Sequence, residues 1–555
     1  MISILISSDL ENLKKEIRYA LGFVFQSLGY SYNFITDTDQ LRPQDILVIY
    51  AYSEPTIDDL RALAKRFVTL YIPADIELYD HKAYSPDKLR KNIKEVKLLS
   101  PTPVISARVF TYPASNYADQ EINAGKFSFD LIGNVFFHLS GMEEKIDSAR
   151  NEAGFYPESS SAFYKYREIP YVDNLLWLMD SMLREHGKAR KQYSIQKMAW
   201  PLGQESAVVL THSVDDLQKW DLGSMVLSIA DDIMMILSFS FKQFWHQLTG
   251  KIKYVFTNYE LNWNFDEFRK LERDAGMRSN FFIAAHNSKE IDYSLDDPDL
   301  AEEIKDLVKE GNEIGLLITE DKLNRDEQMT RKQILLHQTK CPDAGCRQLD
   351  YLMDHRLMDL HNAINPQYSM SSSLQNNPGY KCGTGMPYNP WISSGKAVYT
   401  EIPTVYRDKF LKLNRFKTMG LEDAKHQVRR FLQNASRTHG VFALDFRIAS
   451  YTDIYYCEKL YAYILALIKS HKSWVCKAGE LANWWRKRGR VVVDESEYEF
   501  SVFFPDDLEN LSLQVNGDVK IVEIDGVAAK IDGNQIRFSN VKAESVAVIR
   551  LDHNR

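Results

Sequence analysis

The stretch AVVLTHSVDDL, residues 207–217, runs four apolar residues into a polar cluster of Thr211, His212, Ser213, Asp215 and Asp216. A short apolar run that stops at such a cluster predicts a buried strand with polar side chains at its C-terminal end. Three further runs are of the same kind: NFFIAA (280–285), EIGLLI (313–318) and GVFALDF (440–446). Between them, DLAEEIKDLVKEG sets Leu300, Ile304, Leu307 and Val308 on one helical face and stops at Gly311. Strand, helix, strand in that order predicts parallel pairing, hence an α/β sheet or barrel whose chemistry sits at the C-terminal ends of its strands.

On either side the pattern changes. Before residue 195 the sequence predicts strands at Ile2–Ile6 and 45–50, and helices around Leu13–Leu28, Leu60–Phe67 and Leu175–Leu183. A polar stretch, REHGKARKQYSIQK, separates this region from the barrel candidate. After residue 490, short alternating strands are punctuated by Asn516-Gly517, Asp525-Gly526 and Asp532-Gly533, which are hairpin signals. The expected division is an N-terminal α/β domain over 1–195, a distorted (β/α) barrel over 196–490 and a small β-sandwich over 491–555.

At 555 residues the chain is too long for one ordinary core. Its 45% hydrophobic and 26% charged residues are those of a soluble globular protein. A net charge of -8 argues against a nucleic-acid partner, and the basic run WWRKRGR is short and local. The start, MISILISSDLENLKKE, reads as an opening strand with no export leader, so a cytoplasmic protein is expected. The most apolar segment, Met225 to Leu248, carries Asp231, Asp232 and Lys242, and charges at mid-depth argue against a membrane span. Five cysteines without an export signal favour free thiols, and CPDAGC lacks the second pair a zinc site needs.

In order and spacing, LTHSVDD, SNFFIAA, DPDLAEEIKDLVKEGNEIGLLI, GCRQLDY, YKCGTGMPYNPW and KAGELANWWRKR resemble the polysaccharide deacetylases of carbohydrate esterase family four, the NodB homology fold. More closely, they resemble a bacterial subgroup of that family with an extra N-terminal domain. FFHLSGMEEKIDSARNEAGFYPESSSAFYKYREIPYVDNLLWLM is similar to that preceding domain. The resemblance implies a divalent metal held by one Asp and two His, an Asp base that activates the metal-bound water, a His acid, and an Arg that orients the base.

Laid on this sequence, the implied set is broken. Asp215 stands at the metal-ligand aspartate, but Ser213 stands at the base, Leu317 at the first metal histidine, Asp321 at the second, and Arg447 at the acid. Arg347 stands at the orienting arginine. A serine cannot take a proton from metal-bound water unaided, arginine stays protonated, and one aspartate cannot hold zinc. The weak metal candidates are therefore Asp215 and Asp321, and no cofactor is expected unless His212, Asp215, Glu320, Asp321 and His286 converge into a rebuilt zinc site.

Each candidate also has a plainer reading. Asp215 and Asp216 can cap a helix or hydrate a loop. In the loop CGTGMPYNPW, Thr384, Gly385, Tyr388 and Trp391 either bind a sugar or pin a rigid loop that closes the barrel. Arg347 and Arg447 either make the barrel mouth positive, suiting an acidic or nucleotide-linked sugar, or pair with Asp350 or Asp445. Trp484 and Trp485 are expected to pack the last helix on the barrel. The expected function is a deacetylase-like protein that has lost metal-dependent deacetylation and binds carbohydrate, or scaffolds or regulates a bacterial surface-polysaccharide pathway. The alternatives are an active de-N- or de-O-acetylase with a rearranged site, and a protein-interaction module.

Overall fold

A computed structural model of the chain describes residues 1–53, 55–98, 105–110, 125–219, 222–257, 262–320, 323–414 and 416–553. The N-terminal region is built on a parallel sheet in the order Tyr32–Ile35, Ile2–Ile6, Ile46–Ala51, Val68–Pro73, Gly125–Lys126. Alternation along Ile46–Ala51 feeds two cores. Val48 and Tyr50 join the main one, while Leu47 and Ile49 meet Leu60 of helix Ile57–Arg66 on the other face. The first long helix is Lys14–Leu28, preceded by a 3-10 turn over Ser8–Leu13 and stopped by Gly29 at φ 84°.

The barrel is organised around strand Ser206–Val214, buried at every position. It pairs in parallel with Asn280–Ile283 on one side and Val441–Asp445 on the other. Glu313–Ile318, Cys346–Gln348 and Tyr368–Ser369 continue the parallel series. The segment 400–407 then joins both edges. Thr400–Glu401 pairs with Tyr368–Ser369, and Tyr406–Arg407 with Val441–Asp445. Between them Thr404 N–H donates to Ser372 O (2.9 Å) and Val405 N–H to Ala443 O (3.0 Å). The result is a curled, parallel, distorted (β/α) barrel.

Strand Ser206–Val214 runs four residues past the apolar AVVL, so Thr211, His212 and Ser213 lie inside it rather than in a following loop. The two-residue period sends Thr211 and Ser213 into the barrel and His212 outward to the helices. Polar residues are tolerated here because the interior supplies them with charged partners, described below.

The C-terminal residues form two four-stranded antiparallel sheets. One edge strand is Ser194–Lys197, antiparallel to Leu508–Asn516. It comes from the polar stretch that reads as a separator in the sequence. Helix Ala478–Arg490 links barrel and sandwich. Trp484 and Trp485 are both buried on it, Trp485 with its ring 5.5 Å from that of Trp200, and Trp484 Nε1 donating to Ala199 O (2.8 Å). Arg488 of the basic run is buried too, donating to the carbonyls of Met198, Gln26 and Lys197. All five cysteines are free, and no helix among the described residues is long and apolar enough to cross a membrane.

Candidate functional site

The barrel interior below the mouth is occupied by an ion pair. Arg347, fully buried on strand Cys346–Gln348, reaches across to Asp445 at the end of Val441–Asp445, with Nη1 2.8 Å from Oδ1. Its guanidinium also donates to Ser213 Oγ (3.1 Å), Thr211 Oγ1 (2.8 Å) and Met370 O (3.3 Å), and lies 4.0 Å over the Phe282 ring. Gly315 makes room for that ring: a Cβ there would fall 2.6 Å from it. Ser213 donates from both N–H and Oγ to Asp445 (3.0 Å each). Burial pushes the Asp445 carboxyl up, but Arg347, then Arg407 and Ser213, hold it below the usual carboxylate value.

Above this pair lies a second layer of charge. Arg447 donates from Nε (3.0 Å) and Nη2 (2.8 Å) to Asp408, and its Nη1 is 3.5 Å from Asp215 Oδ2. Asp453 closes the layer, paired with Lys219 and Lys412 at 3.0 Å each. Asp350 is paired with Lys409. Burial pushes the Asp215 carboxyl up against the pull of Arg447 and Lys409. Asp216 is pushed up to about 7 by burial and by the neighbouring carboxylate of Asp292, which itself accepts from the N–H groups of Leu217 and Gln218.

Of the two readings of these arginines, the paired one describes the structure: Arg347 meets Asp445, and Arg447 meets Asp408 and Asp215 rather than Asp350 or Asp445. His212 also lies away from the mouth. Its Nδ1 bonds Phe446 O (2.7 Å) and its Nε2 bonds Glu272 (2.9 Å), a carboxylate shared with Tyr461 and Ser279. Leu317 is buried in register with Arg347. Glu320 sits near Glu290 and Asp350. Asp321 lies outside the described residues.

The donors among the described residues do not fit a metal held by one Asp and two His. Among the described residues no three His, Cys, Asp or Glu side chains are grouped so as to hold one. At Asp215 the neighbouring positive charge is the Arg447 guanidinium, which competes electrostatically with any cation there. Asp215 Oδ1 is buried without a hydrogen-bond partner.

The loop 382–391 is placed between the barrel and the N-terminal region. Thr384 Oγ1 (2.5 Å) and Gly385 N–H (2.9 Å) donate to Asp173 of helix Tyr171–Ala189. Tyr388 is buried, with its hydroxyl near Cys382 and Ser372. Trp391 packs on Tyr19 and Phe136, with ring centroids 5.0 and 5.5 Å away. The polar and aromatic groups of this loop are thus turned to neighbouring parts of the chain.

A cleft open to solvent lies where the N-terminal region meets the loop after strand Tyr368–Ser369. Tyr156, Phe163, Tyr164 and Tyr380 supply aromatic surface, and Glu143, Glu158, Arg167 and Lys381 supply charge. Arg167 lies 4.4 Å over the Tyr164 ring, and Asn377 ties Glu158 to the Tyr164 hydroxyl. Tyr156 Oη and Arg167 Nε are buried there without hydrogen-bond partners. Burial pushes Glu143 up to about 7. Sequence reasoning did not assign these residues to a site. The available signal was the aromatic and acidic segment GFYPESSSAFYKYR, which the resemblance places in a preceding domain and not beside the barrel.

The fold is thus mixed α/β, with a curled parallel barrel and additional β structure. A family of unknown function (DUF7033) matches residues 4–188. No match was found among curated proteins. Among solved structures, the chain is similar to a putative polysaccharide deacetylase from Mycobacterium smegmatis, at 14% identity over 54% of this chain and 97% of that one, with a TM-score of 0.34. It is similar to the chitin deacetylase of the fungal pathogen Colletotrichum lindemuthianum, at 11% identity over 51% and 89%, with a TM-score of 0.29. Over 99% of this chain and 98% of the other it is similar to Agd3, described as a novel carbohydrate deacetylase, at 8% identity and a TM-score of 0.38. At these TM-scores the likenesses carry no argument about the site, which rests on its own residues.

Proposed function

We propose that this chain is a carbohydrate-binding protein on a deacetylase-type barrel that does not carry out metal-dependent deacetylation, serving as a binding or scaffold component of bacterial surface-polysaccharide metabolism. The observation that carries the first half is the Arg447 guanidinium between Asp215 and Asp408. It neutralises the aspartate on which the family's chemistry would be built, and Ser213, pinned to Asp445, offers no base in its place.

The ligand reading rests on the cleft beside the mouth. Aromatic faces stack on the apolar faces of sugar rings, while carboxylates, guanidinium and partnerless donors meet hydroxyls. Tyr156 Oη and Arg167 Nε are such donors, since a buried polar group without a partner costs about 1–3 kcal/mol that a ligand oxygen would recover.

Two measurements test the proposal separately. Elemental analysis of protein expressed with added zinc and cobalt and then dialysed is expected to find far less than one metal per chain, and N-acetylated oligosaccharides are expected to stay intact. Near-stoichiometric metal, or acetate release, that disappears in Asp215→Ala would overturn the first half. Calorimetric titration with neutral and acidic oligosaccharides and sugar nucleotides is expected to find a binder whose affinity falls at least tenfold in Arg167→Ala. Uniform absence of binding, or binding indifferent to that substitution, would overturn the cleft assignment.

A further inference from the structure

Immediately after Asp215 and Asp216 the chain leaves the barrel and forms two helices, Leu222–Leu237 and Phe241–Thr257, that pack on each other. Their amphipathicity is inverted. Gln243, Gln247 and Lys251, four residues apart on one stripe of the second helix, are buried. Gln243 donates to Asp453 O (2.7 Å), His246 bonds Thr452 O (2.8 Å), and Lys251 is paired with Asp232 of the first helix. The opposite face is apolar and open to solvent. It carries Ile233 and Leu237 on the first helix, Phe239 at the turn, and Phe241, Trp245 and Ile252 on the second. Phe239 is 83% exposed and Trp245 60%. Phe239 sits at φ 56°, a left-handed conformation that aromatic residues rarely adopt.

A helix pair that turns its polar stripe to the protein and its apolar stripe to water is covered by something apolar in use. The charges select the covering. Asp232 is turned inward onto Lys251, whereas Lys242, at the start of the second helix, is exposed. The adjacent hairpin, Lys412–Asn414 with Lys417–Thr418, adds exposed Leu413 and Lys417, and its Lys412 meets Asp453. Apolar and aromatic side chains framed by ammonium groups match an anionic lipid surface, with phenyl and indole rings at the acyl boundary and lysines among the headgroups.

We propose that this helical hairpin is a membrane-docking element that seats the protein on an anionic bilayer without crossing it. It contacts the charged layer of the barrel mouth through Asp453, which lies 3.7 Å from Arg447, so docking brings the mouth to the headgroup layer. The proposal does not depend on what the barrel or the cleft binds.

The test is flotation of the full chain with vesicles of phosphatidylcholine alone and of phosphatidylcholine with phosphatidylglycerol. The expected result is co-flotation with the anionic vesicles and quenching of Trp245 fluorescence by brominated lipid, absent in Trp245→Phe. Partitioning should fall roughly a hundredfold or more in Phe239→Asp with Phe241→Asp. It should fall about fivefold in Lys242→Gln. These side chains are exposed, so the variants are expected to fold, as circular dichroism can check. Failure to float, or flotation unchanged in both variants, would overturn the proposal. So would a dimer in sedimentation analysis that Phe239→Asp with Phe241→Asp dissolves, because the face would then be covered by a second copy.

Discussion

Replacing Arg347 by methionine keeps the aliphatic stem but leaves Asp445, 1% exposed, without its main cation. Removing one partner of a buried pair costs roughly 3–5 kcal/mol. Two hydroxyls, Thr211 and Ser213, lose a charged donor at the same time. In the parent, Arg347 holds the Asp445 carboxyl below its usual value, so its contribution to stability is present above about pH 4 and is lost as pH falls through the depressed pKa. In Arg347→Met burial is the stronger influence and the carboxyl moves up, so the variant loses stability as pH rises from about 4. The penalty should therefore grow from about 1–2 kcal/mol in acid, where only hydrogen bonds are missing, to on the order of 4 kcal/mol near neutrality. Urea unfolding of parent and variant across that range measures it. Asp445→Asn in the Arg347→Met background should recover most of the neutral-pH loss, since no charge is then stranded. A penalty under about 1 kcal/mol, or one that does not change with pH, would refute the account of the barrel interior.

Two further predictions concern the contact between the N-terminal region and the barrel loop. Asp173→Ala strands the Thr384 hydroxyl and the Gly385 N–H, and should lower stability by about 2–4 kcal/mol. Because burial pushes Asp173 up to about 7, its contribution is fullest below about pH 4 and is lost as pH rises through 7, so thermal unfolding should show the largest deficit in acid. Gly383→Ala places a Cβ 2.0 Å from the Tyr171 ring at a residue with φ 69°, and should cost about 2–3 kcal/mol or more in the same assay. A near-neutral result there would mean that the loop does not rest against helix Tyr171–Ala189.

Much of the architecture is legible in local pattern. The apolar runs at 207–210, 280–285, 313–318 and 440–446 all become barrel strands, because a strand buried on both faces needs little but β-branched and aromatic residues. The bounds are less legible where polar residues belong to the core. THSV is the C-terminal end of strand Ser206–Val214 and is buried at every position, which local pattern does not show, since the partners that make it tolerable, Arg347 and Asp445, lie more than a hundred residues away. The edge strand Ser194–Lys197 is hidden for a related reason. Its partner, Leu508–Asn516, comes from the other end of the chain.

The composition of the site is a matter of sequence, and its wiring is not. The sequence by itself determines that residues 213, 317 and 447 are a serine, a leucine and an arginine, and residue identity fixes which groups can ionise or coordinate. Only the tertiary structure decides that Arg347 is neutralised by Asp445 and Arg447 by Asp408 and Asp215. It alone shows that in the CGTGMPYNPW loop Gly385 donates to Asp173 and Trp391 packs on Tyr19. It alone shows that the hairpin after Asp216 turns its polar stripe inward. Charge pairing and burial are properties of distance in space, and at these positions distance along the chain carries no information about them.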